Sequence, residues 1–207
     1  MGKQGAAARK KHKKTAPRTD RAALSRLRKL LCDRSFRYSE KPIFKLSSGV
    51  RSRYYMDCKK VTLDPEGASL IGRLIFNRIK TLRPGGVGGL TLGADPIAVS
   101  TAVASRRGRR PVPAFIVRKE PKGHGSRAWI EGGLPRGARV VVVEDVITTG
   151  GSTIKAITRL RAYGCKILKV VALVDRGEGG REKIQARRIP VESLFTISDF
   201  LSPSRRK

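Results

Sequence analysis

The sequence predicts an α/β protein in which helices flank a central, mainly parallel sheet. Residues 140–143 are four consecutive valines, and an apolar β-branched run without alternation is typical of a central parallel strand. Two segments, residues 88–106 and 140–163, each have the pattern of a strand, a glycine turn and a helix. With 207 residues, 39% of them hydrophobic, the chain is long enough to bury one core of this class.

The chain carries a large positive charge. Its formal net charge is +30, and a chain this basic attracts polyanions such as nucleotides or nucleic acid. Residues 1–20 cannot bury apolar surface and repel one another, so we expect a disordered basic tail. This tail is either an arm that holds RNA, DNA or another polyanion, or a solvated extension; the absence of interleaved aromatic residues favours the extension. We expect one domain over residues 21–202 and a second basic tag at residues 203–207.

Cysteine usage and hydropathy indicate the cellular compartment in which the protein is expected. The three cysteines show neither disulfide nor metal-ligand spacing, which is typical of reduced cytoplasmic thiols. The sequence has no apolar run long enough to span a membrane, and its N-terminus lacks the apolar segment of a signal peptide. We therefore expect a cytoplasmic protein without a membrane span.

The first half of the predicted domain alternates helices with short extended segments. Residues 21–33 predict an amphipathic helix with its leucines on one stripe, and residues 43–60 predict extended pieces around a turn at Gly49. Asp64 and Pro65 open the next helix as its cap and first-turn residue. The apolar residues of that helix that are expected to face the core are Ile71, Leu74, Ile75, Ile79 and Leu82.

A glycine turn at residues 93–95 follows a strand that carries Leu90 and Leu92. Pro96 starts the helix after this turn. The carboxyl ends of parallel strands meet at one edge of a sheet, where ligands bind. If the sheet is parallel, we therefore expect Gly93, Ala94 and Asp95 to lie beside the polar turn that follows the valine strand.

Polar residues cluster where the valine strand ends. Glu144 and Asp145 come directly after the valines, and the turn TTGGS at residues 148–152 combines hydroxyls with glycines that let backbone N–H groups converge on an anion. We expect Ser152 to cap a helix over residues 153–163. Such a helix start favours a phosphate, and a ribose phosphate would also offer hydroxyls to the two carboxylates.

Basic residues form a second candidate site, after a strand predicted at residues 113–117. The segment RKEPKGHG at residues 118–125, called the basic loop below, has its potential cations at Arg118, Lys119, Lys122 and His124. It is either a mobile loop that closes over a pyrophosphate and neutralises the charge of the leaving group, or a solvated hairpin tip. Trp129 is expected to pack at its base.

The last third of the chain predicts two further strands. Residues 167–174 form an apolar run that ends at Asp175 and Arg176. The segment VESLFTISDF, residues 191–200, predicts a final strand followed by a short helix.

Three motifs resemble those of a known enzyme family. The segment EDVITTGGS at residues 144–152 resembles the phosphoribosyl pyrophosphate (PRPP) motif of the type I phosphoribosyltransferases. The pattern R-K-E-x-K-x-H-G of the basic loop, with I-E-G at residues 130–132, is very similar to the catalytic loop of orotate phosphoribosyltransferases. The pattern F-x-L-x-S-G-x-x-S-x-Y-Y, which begins at Phe44, resembles the N-terminal hood of the same family.

This resemblance implies the type I phosphoribosyltransferase fold, with a small N-terminal hood and a mobile loop. It implies transfer of phosphoribose from PRPP to orotate, which gives orotidine 5′-phosphate and pyrophosphate, a step of UMP biosynthesis. Mg²⁺ is the implied cofactor, carried by PRPP rather than held directly by the protein. A homodimer is also implied, because in this family the loop reaches into the site of the partner subunit.

The resemblance also assigns roles to residues. Glu144 and Asp145 would face the ribose hydroxyls, and Asp145 would stabilise the positive ring of a ribose cation. Thr148 and Arg176 would contact orotate, whose carboxylate and carbonyl edge suits a guanidinium fork; the alternative for Arg176 is an exposed position in a glycine-rich loop. The implied catalytic residues are Lys119, Lys122, His124 and Asp145. The implied PRPP-binding residues are Arg118, Lys119, Lys122, His124, Glu144, Asp145, Val146, Ile147, Thr148, Thr149, Gly150, Gly151 and Ser152.

The chain departs from the family pattern at Ser47 and Gly93, where some relatives have lysine. Either Lys59 or Arg51 would compensate, or PRPP affinity would be lower. Two other functions are compatible with part of the pattern. A phosphoribosyltransferase for a purine or another base would share the PRPP motif but not the basic-loop pattern. A PRPP-sensing regulator that binds nucleic acid would suit the high positive charge but would not need an intact basic loop.

Overall fold

The computed structural model describes residues 18–45, 49, 51–121 and 129–201. Predictions that concern residues 1–17, Ser47, Lys122, His124 or the tag at residues 203–207 lie outside the described residues. Within the described part, no helix is long and apolar enough to cross a membrane.

Helices and strands alternate through the second half of the described chain. The helices are α1 (Arg18–Leu30), α2 (Lys59–Thr62), α3 (Pro65–Ile79), α4 (Asp95–Ser105), α5 (Gly151–Ala162) and α6 (Gly180–Gln185). The strands are β1 (Phe36–Tyr38), β2 (Phe44–Lys45), β3 (Arg51–Ser52), β4 (Tyr54–Met56), β5 (Gly86–Leu90), β6 (Ala114–Val117), β7 (Ile130–Glu131), β8 (Arg139–Ile147), β9 (Lys166–Asp175) and β10 (Val191–Thr196). A π-helical turn at Leu31–Ser35 follows α1, and 3-10 turns follow α3 and β10.

Six strands form one sheet in the order β10-β9-β8-β5-β6-β7. The first five are parallel to one another, and only β7 runs antiparallel to its neighbour β6. Strand β8 lies between β9 and β5, which confirms the central position predicted from its valines. Consequently the polar segments after β5, β6, β8 and β9 leave the sheet at the same edge.

The core consists of two apolar layers, one on each face of the sheet. Val141 and Val143 belong to the layer that contains side chains of α1, α3 and α4. Val140 and Val142 belong to the layer that contains side chains of α5. Because successive residues of a strand point to opposite faces, a strand covered on both sides needs apolar residues at every position, and this explains the unbroken valine run.

Short strands in the N-terminal part form a small hood. Strand β1 pairs antiparallel with β4, and β2 with β3. The Phe44 and Tyr55 rings stack with centroids 5.9 Å apart within the hood, and Phe36 stacks on Phe200 near the C-terminus of the described chain. The hood is thereby attached to the main domain through aromatic contacts.

Some helix boundaries agree with those predicted from the sequence, and others differ. The Asp64 carboxylate accepts hydrogen bonds from the backbone N–H groups of Glu66 and Gly67, which confirms it as the cap of α3. Helix α1 begins at Arg18 and gives way to the π-helical turn at Leu31, so the helix predicted over residues 21–33 is displaced. Its early start is favoured by Asp20, a buried carboxylate that accepts a hydrogen bond from Asn77. The boundaries of the predicted domain itself stay a prediction.

Candidate functional site

Two carboxylates end strand β8. Glu144 is only 5% exposed, and its Oε2 accepts a hydrogen bond of 2.8 Å from the hydroxyl of Thr153 in α5. Burial, reinforced by the neighbouring Asp145 carboxylate, raises the pKa of Glu144 well above its ordinary value. Asp145 is half-buried, and its Oδ1 accepts a hydrogen bond from the backbone N–H of Val146. The two adjacent acids therefore differ: Glu144 is buried and favours its protonated form, whereas Asp145 is accessible to solvent.

The turn after β8 is open to solvent at the positions where a phosphate would bind. Gly150 has a φ of 81°, a left-handed conformation that glycine adopts without strain. Thr149, Gly151 and Ser152 are exposed, and the backbone N–H groups of the first turn of α5 have no partners within the helix. The turn thus offers hydroxyls and N–H groups together, as anion sites at helix starts do.

The prediction that Ser152 caps this helix is wrong. Helix α5 begins at Gly151, and the cap position is Gly150, which has no side chain to donate or accept a hydrogen bond. The left-handed conformation of Gly150 turns the chain into the helix two residues earlier than a cap at Ser152 would. As a result the Ser152 side chain lies in the first turn and is not occupied by capping.

The segment that follows β9 supports this turn. The backbone N–H of Arg176 donates to the carbonyl of Ile147, and that of Gly180 donates to the carbonyl of Thr148. A Cβ at Gly180 would lie 2.4 Å from the Thr148 carbonyl oxygen, so only glycine allows this approach. The Ile147 side chain is buried in the core, and any contribution of this residue to ligand binding comes from its main chain.

The glycine turn after β5 touches the acids, as predicted. A Cβ atom at Gly93 would lie 2.6 Å from Oδ1 of Asp145. A side chain at Gly93 would therefore require the Asp145 carboxylate to shift. Strand β5 ends at Leu90, however, and Leu92 is 59% exposed; the prediction that the strand carries Leu92 is wrong because the chain has already left the sheet.

Lys59, the first residue of α2, is a half-buried cation. Its ammonium group lies 2.8 Å from Oδ1 of Asp57. The hydrogen bond to Asp57, with a smaller contribution from the charge of Asp145, raises the pKa of Lys59. Lys59 is thus within electrostatic range of Asp145; compensation for the missing lysine by Lys59 or Arg51 stays a prediction.

The basic loop is described as far as Pro121, so the structure places two of its four cations. Arg118 follows β6; its backbone N–H donates to the carbonyl of Trp129, and its guanidinium lies 3.1 Å from Glu131. Lys119 comes next and is exposed. Trp129 lies at the base of the loop, as predicted, where the guanidinium carbon of Arg159 is 3.9 Å from its ring centroid.

Arg176 is buried between the sheet and the hood. It is only 5% exposed, so the alternative of an exposed arginine is wrong. Its guanidinium lies 4.6 Å from the centroid of the Tyr54 ring, 2.8 Å from the Glu178 carboxylate and 3.2 Å from the Ser52 hydroxyl. An aromatic ring and a buried guanidinium thus meet at the same sheet edge as Asp145.

Four residues near the site were not identified as functional from the sequence: Ser52, Tyr54, Arg159 and Glu178. Ser52 and Tyr54 belong to the hood pattern that begins at Phe44. That pattern indicated the family but assigned no role to either residue. Nothing in the sequence indicated a functional role for Arg159, because an arginine on a helix between apolar residues is usually a solvated surface residue. Its place at the loop base depends on the packing of α5 beside β6.

The accessible acid after β8 suits a magnesium ion that a phosphate ligand carries. Mg²⁺ in phosphate-transfer sites is held by one or two carboxylates together with substrate phosphates. Asp145 supplies accessible carboxylate oxygens beside the candidate phosphate turn, whereas Glu144 is buried and favours its proton. Within the described residues, no group of three or more His, Cys, Asp or Glu side chains could hold a metal by itself.

Comparisons with known proteins agree with this arrangement. The phosphoribosyl transferase domain family matches residues 66–197. An orotate phosphoribosyltransferase of Aquifex aeolicus is 51% identical over 176 residues, which cover 85% of this chain and 96% of that protein. A Nostoc orotate phosphoribosyltransferase is 49% identical over 83% of this chain and 82% of its own length.

Solved structures show the same similarity. Crystal structures of the orotate phosphoribosyltransferase of Mycobacterium tuberculosis H37Rv include one in complex with Fe(III) dicitrate, with a TM-score of 0.76 and 36% identity over 87% of this chain and 99% of that one. Another, in complex with PRPP, has a TM-score of 0.71 and 34% identity over 86% of this chain and 98% of that one. The chain belongs to the orotate phosphoribosyltransferase family, within the phosphoribosyl transferase domain family.

Proposed function

We propose that this chain transfers the phosphoribosyl group of PRPP to orotate, producing orotidine 5′-phosphate and pyrophosphate for UMP biosynthesis. One observation supports this proposal most strongly: three features lie at the same edge of the sheet. They are the acids after β8, the glycine turn after β5 and the buried Arg176 after β9. The chain also shares half of its aligned residues with an orotate phosphoribosyltransferase over nearly that protein's whole length.

PRPP would bind along the carboxyl end of β8. The exposed turn at residues 148–152 would hold the 5′-phosphate with its hydroxyls and N–H groups. Glu144 and Asp145 precede this turn, and the ribose hydroxyls would donate to their carboxylates. Mg²⁺, carried by PRPP, would supply further neutralisation of phosphate charge when bound.

The reaction breaks the bond between the ribose C1 and pyrophosphate and forms a bond from C1 to orotate. Positive charge develops on the ribose ring while negative charge develops on the leaving group. Asp145 is accessible at the sheet edge and would stabilise the ring cation; Lys119 and the other cations of the basic loop would stabilise the pyrophosphate. Catalysis is then mainly positioning and electrostatics.

Orotate would bind where Arg176 meets the hood. A buried guanidinium favours a planar carboxylate that accepts two parallel hydrogen bonds, and Tyr54 adds an aromatic surface beside it. Purine bases have no carboxylate to pair with Arg176. This position thus supports orotate over the bases used by other phosphoribosyltransferases.

The direct test is the fall in orotate absorbance when the purified chain is mixed with PRPP and Mg²⁺. The proposal requires orotate to be consumed and pyrophosphate released in equal amounts, and adenine, hypoxanthine and uracil to be poor substrates. Consumption of one of those bases instead, or binding of PRPP without turnover of any base, would refute it and would support another transferase or a PRPP sensor.

We propose that the chain forms a homodimer and that the two copies contact each other through the groove between α3 and α4. Four exposed apolar side chains lie along this groove: Leu63, Leu92, Val99 and Val103. Leu92 directly precedes Gly93, which touches Asp145, so the apolar surface continues to the edge of the site. A second copy seated there would bring the two sites near the interface.

Replacing Val103 with arginine is expected to dissociate the dimer. Val103 is 69% exposed, and the groove already contains Arg73, Arg107 and Arg110, so an added cation would be repelled and would remove apolar contact. Sedimentation velocity should show the parent near twice its chain mass and the variant near one. Ile43→Arg, at an exposed apolar residue of the hood, is the control, and a Val103→Arg variant that dimerises as tightly as the parent would exclude this groove.

The compartment is proposed to be the cytoplasm. Cys58 and Cys165 are buried free thiols, and reduced thiols are usual in that compartment. The substrates are also soluble phosphates and a small acid.

A further inference from the structure

We propose that Arg159 is a positioning residue that holds the main chain of Arg118 and Lys119, and thereby directs their side chains toward the pyrophosphate. The inference rests on the proposed function, since it is the pyrophosphate of PRPP that these side chains would meet. Arg159 itself belongs to α5 and would not touch the substrate.

The guanidinium of Arg159 binds two consecutive carbonyls of the basic loop. Nη1 donates to the carbonyl oxygen of Arg118, and Nη2 donates to that of Lys119 at 2.8 Å. These carbonyls come directly after β6, where the sheet no longer fixes the chain. Two bonds from one planar group fix both the position and the orientation of this segment.

The same guanidinium also contacts the other end of the loop. Its central carbon lies 3.9 Å from the centroid of the Trp129 ring, a distance at which a cation is attracted to the ring face. The carbonyl of Trp129 accepts a hydrogen bond from the backbone N–H of Arg118. Arg159 therefore joins the outgoing and returning chains at the point where the basic loop begins and ends.

Helix α5 links this contact to the candidate phosphate turn. The helix starts at Gly151, directly after that turn, and Arg159 lies eight residues later, about 12 Å along the helix axis. One turn further, the hydroxyl of Tyr163 donates to the carbonyl of Leu134. A single rigid element thus sets the distance between the binding place of the 5′-phosphate and the base of the segment that would bind the pyrophosphate.

A purely structural role is the alternative. In that case the bonds of Arg159 would raise the stability of the fold, and their loss would leave the side chains of Arg118 and Lys119 equally effective. The two roles predict different kinetics, since misplacing a charged group by about 1 Å lowers a reaction rate by roughly 100-fold whereas a change in stability does not alter the rate of the folded fraction.

Three variants separate these roles. Arg159→Leu removes both carbonyl bonds and keeps an apolar side chain beside Trp129. Arg159→Lys keeps the charge and one potential bond. Arg161→Leu is the matched control, because Arg161 is an exposed arginine of the same helix whose Nη2 also donates to a backbone carbonyl, that of Arg187, away from the site.

We expect Arg159→Leu to lower kcat by roughly 10- to 100-fold and to weaken inhibition by pyrophosphate, while the KM for orotate stays near the parent value. Arg159→Lys should recover part of kcat, and Arg161→Leu should match the parent. The protein has one tryptophan, so acrylamide quenching of its fluorescence should increase in Arg159→Leu only. All rates are compared at a temperature where near-ultraviolet circular dichroism shows each variant folded.

The proposal is overturned if folded Arg159→Leu retains the parent kcat and pyrophosphate inhibition, even if its melting temperature falls. The same conclusion follows if Arg161→Leu loses as much activity as Arg159→Leu. Should the parent itself fail to consume orotate, the proposed function fails, and the affinity for pyrophosphate with Mg²⁺ then tests the positioning role. Weaker binding in Arg159→Leu than in the parent and Arg161→Leu supports that role, and equal binding in the parent and all three variants refutes it.

Discussion

Replacing both Lys119 and Lys122 with alanine is expected to lower kcat by roughly 1000-fold, since removal of one preorganised charge-stabilising group alone costs about 10²–10³-fold. The physical reason is that pyrophosphate gains negative charge as its bond to the ribose breaks, and the two ammonium groups would neutralise that charge. Orotate consumption measured by absorbance, at saturating PRPP and Mg²⁺, gives kcat directly.

A matched control removes two cations from the other end of the sheet. Arg139 and Lys166 are exposed register partners at the first residues of β8 and β9, so the Arg139→Ala, Lys166→Ala variant has the same net charge as the lysine variant. It should keep the parent kcat. If the lysine variant also stays within threefold of the parent, the basic loop does not stabilise the leaving group.

Replacing Glu144 with glutamine is expected to change how stability depends on pH. The folded protein holds the Glu144 proton more tightly than the unfolded chain does, because burial and Asp145 disfavour the carboxylate. Between the ordinary pKa of a glutamate and the raised pKa of Glu144 the unfolded chain therefore binds fewer protons, and the stability of the parent falls as pH rises. Glutamine does not ionise and can still accept the hydrogen bond from Thr153.

At pH 8 the Glu144→Gln variant should be more stable than the parent by about 4 kcal/mol, since the pKa of Glu144 is raised from 4.5 to about 8 and each unit of pKa shift corresponds to about 1.4 kcal/mol. The difference should vanish near pH 4.5. Urea unfolding measured from pH 4.5 to 8.5 tests this, with Glu182→Gln, at an exposed glutamate of α6, as the control for loss of one negative charge. Parallel stability curves for Glu144→Gln and the parent would contradict the role assigned to burial.

The same substitution should weaken PRPP binding by about tenfold, because a hydrogen bond to a charged group contributes about 1.5–3 kcal/mol. Gain of stability with loss of affinity is the pattern expected of a residue kept in an unfavourable environment for function. Isothermal titration with PRPP and Mg²⁺ at pH 8 measures the affinity. Unchanged affinity would indicate that the ribose hydroxyls do not contact Glu144.

Local patterns in the sequence predicted a large part of the fold and of the site. The valine run indicated a strand covered on both faces, and both layers of the core contain its side chains. Asp64 and Pro65 indicated a helix start, which the hydrogen bonds to Asp64 confirm. The PRPP motif indicated a phosphate turn, although the helix begins at Gly151 and not after a Ser152 cap.

Other features could not be predicted because they depend on contacts between distant segments. The sequence predicted only that Gly93 lies near the polar turn after β8; its close approach to Asp145 depends on how the neighbouring strands β5 and β8 are paired. Arg176 contacts Ser52, 124 positions earlier in the chain, only because the hood lies over the end of β9. Neither contact leaves a periodicity or a turn signal in the sequence.

The sequence by itself determined the class of fold and the family and predicted the phosphate turn, because these follow from hydrophobic periodicity, glycine turns and short motifs that act within a few residues. Tertiary structure alone decided that Glu144 is buried while Asp145 is accessible, and that Arg159 holds the base of the basic loop. The reason is physical: burial and long-range hydrogen bonds depend on which strands and helices pack side by side, and that order is set by the whole core.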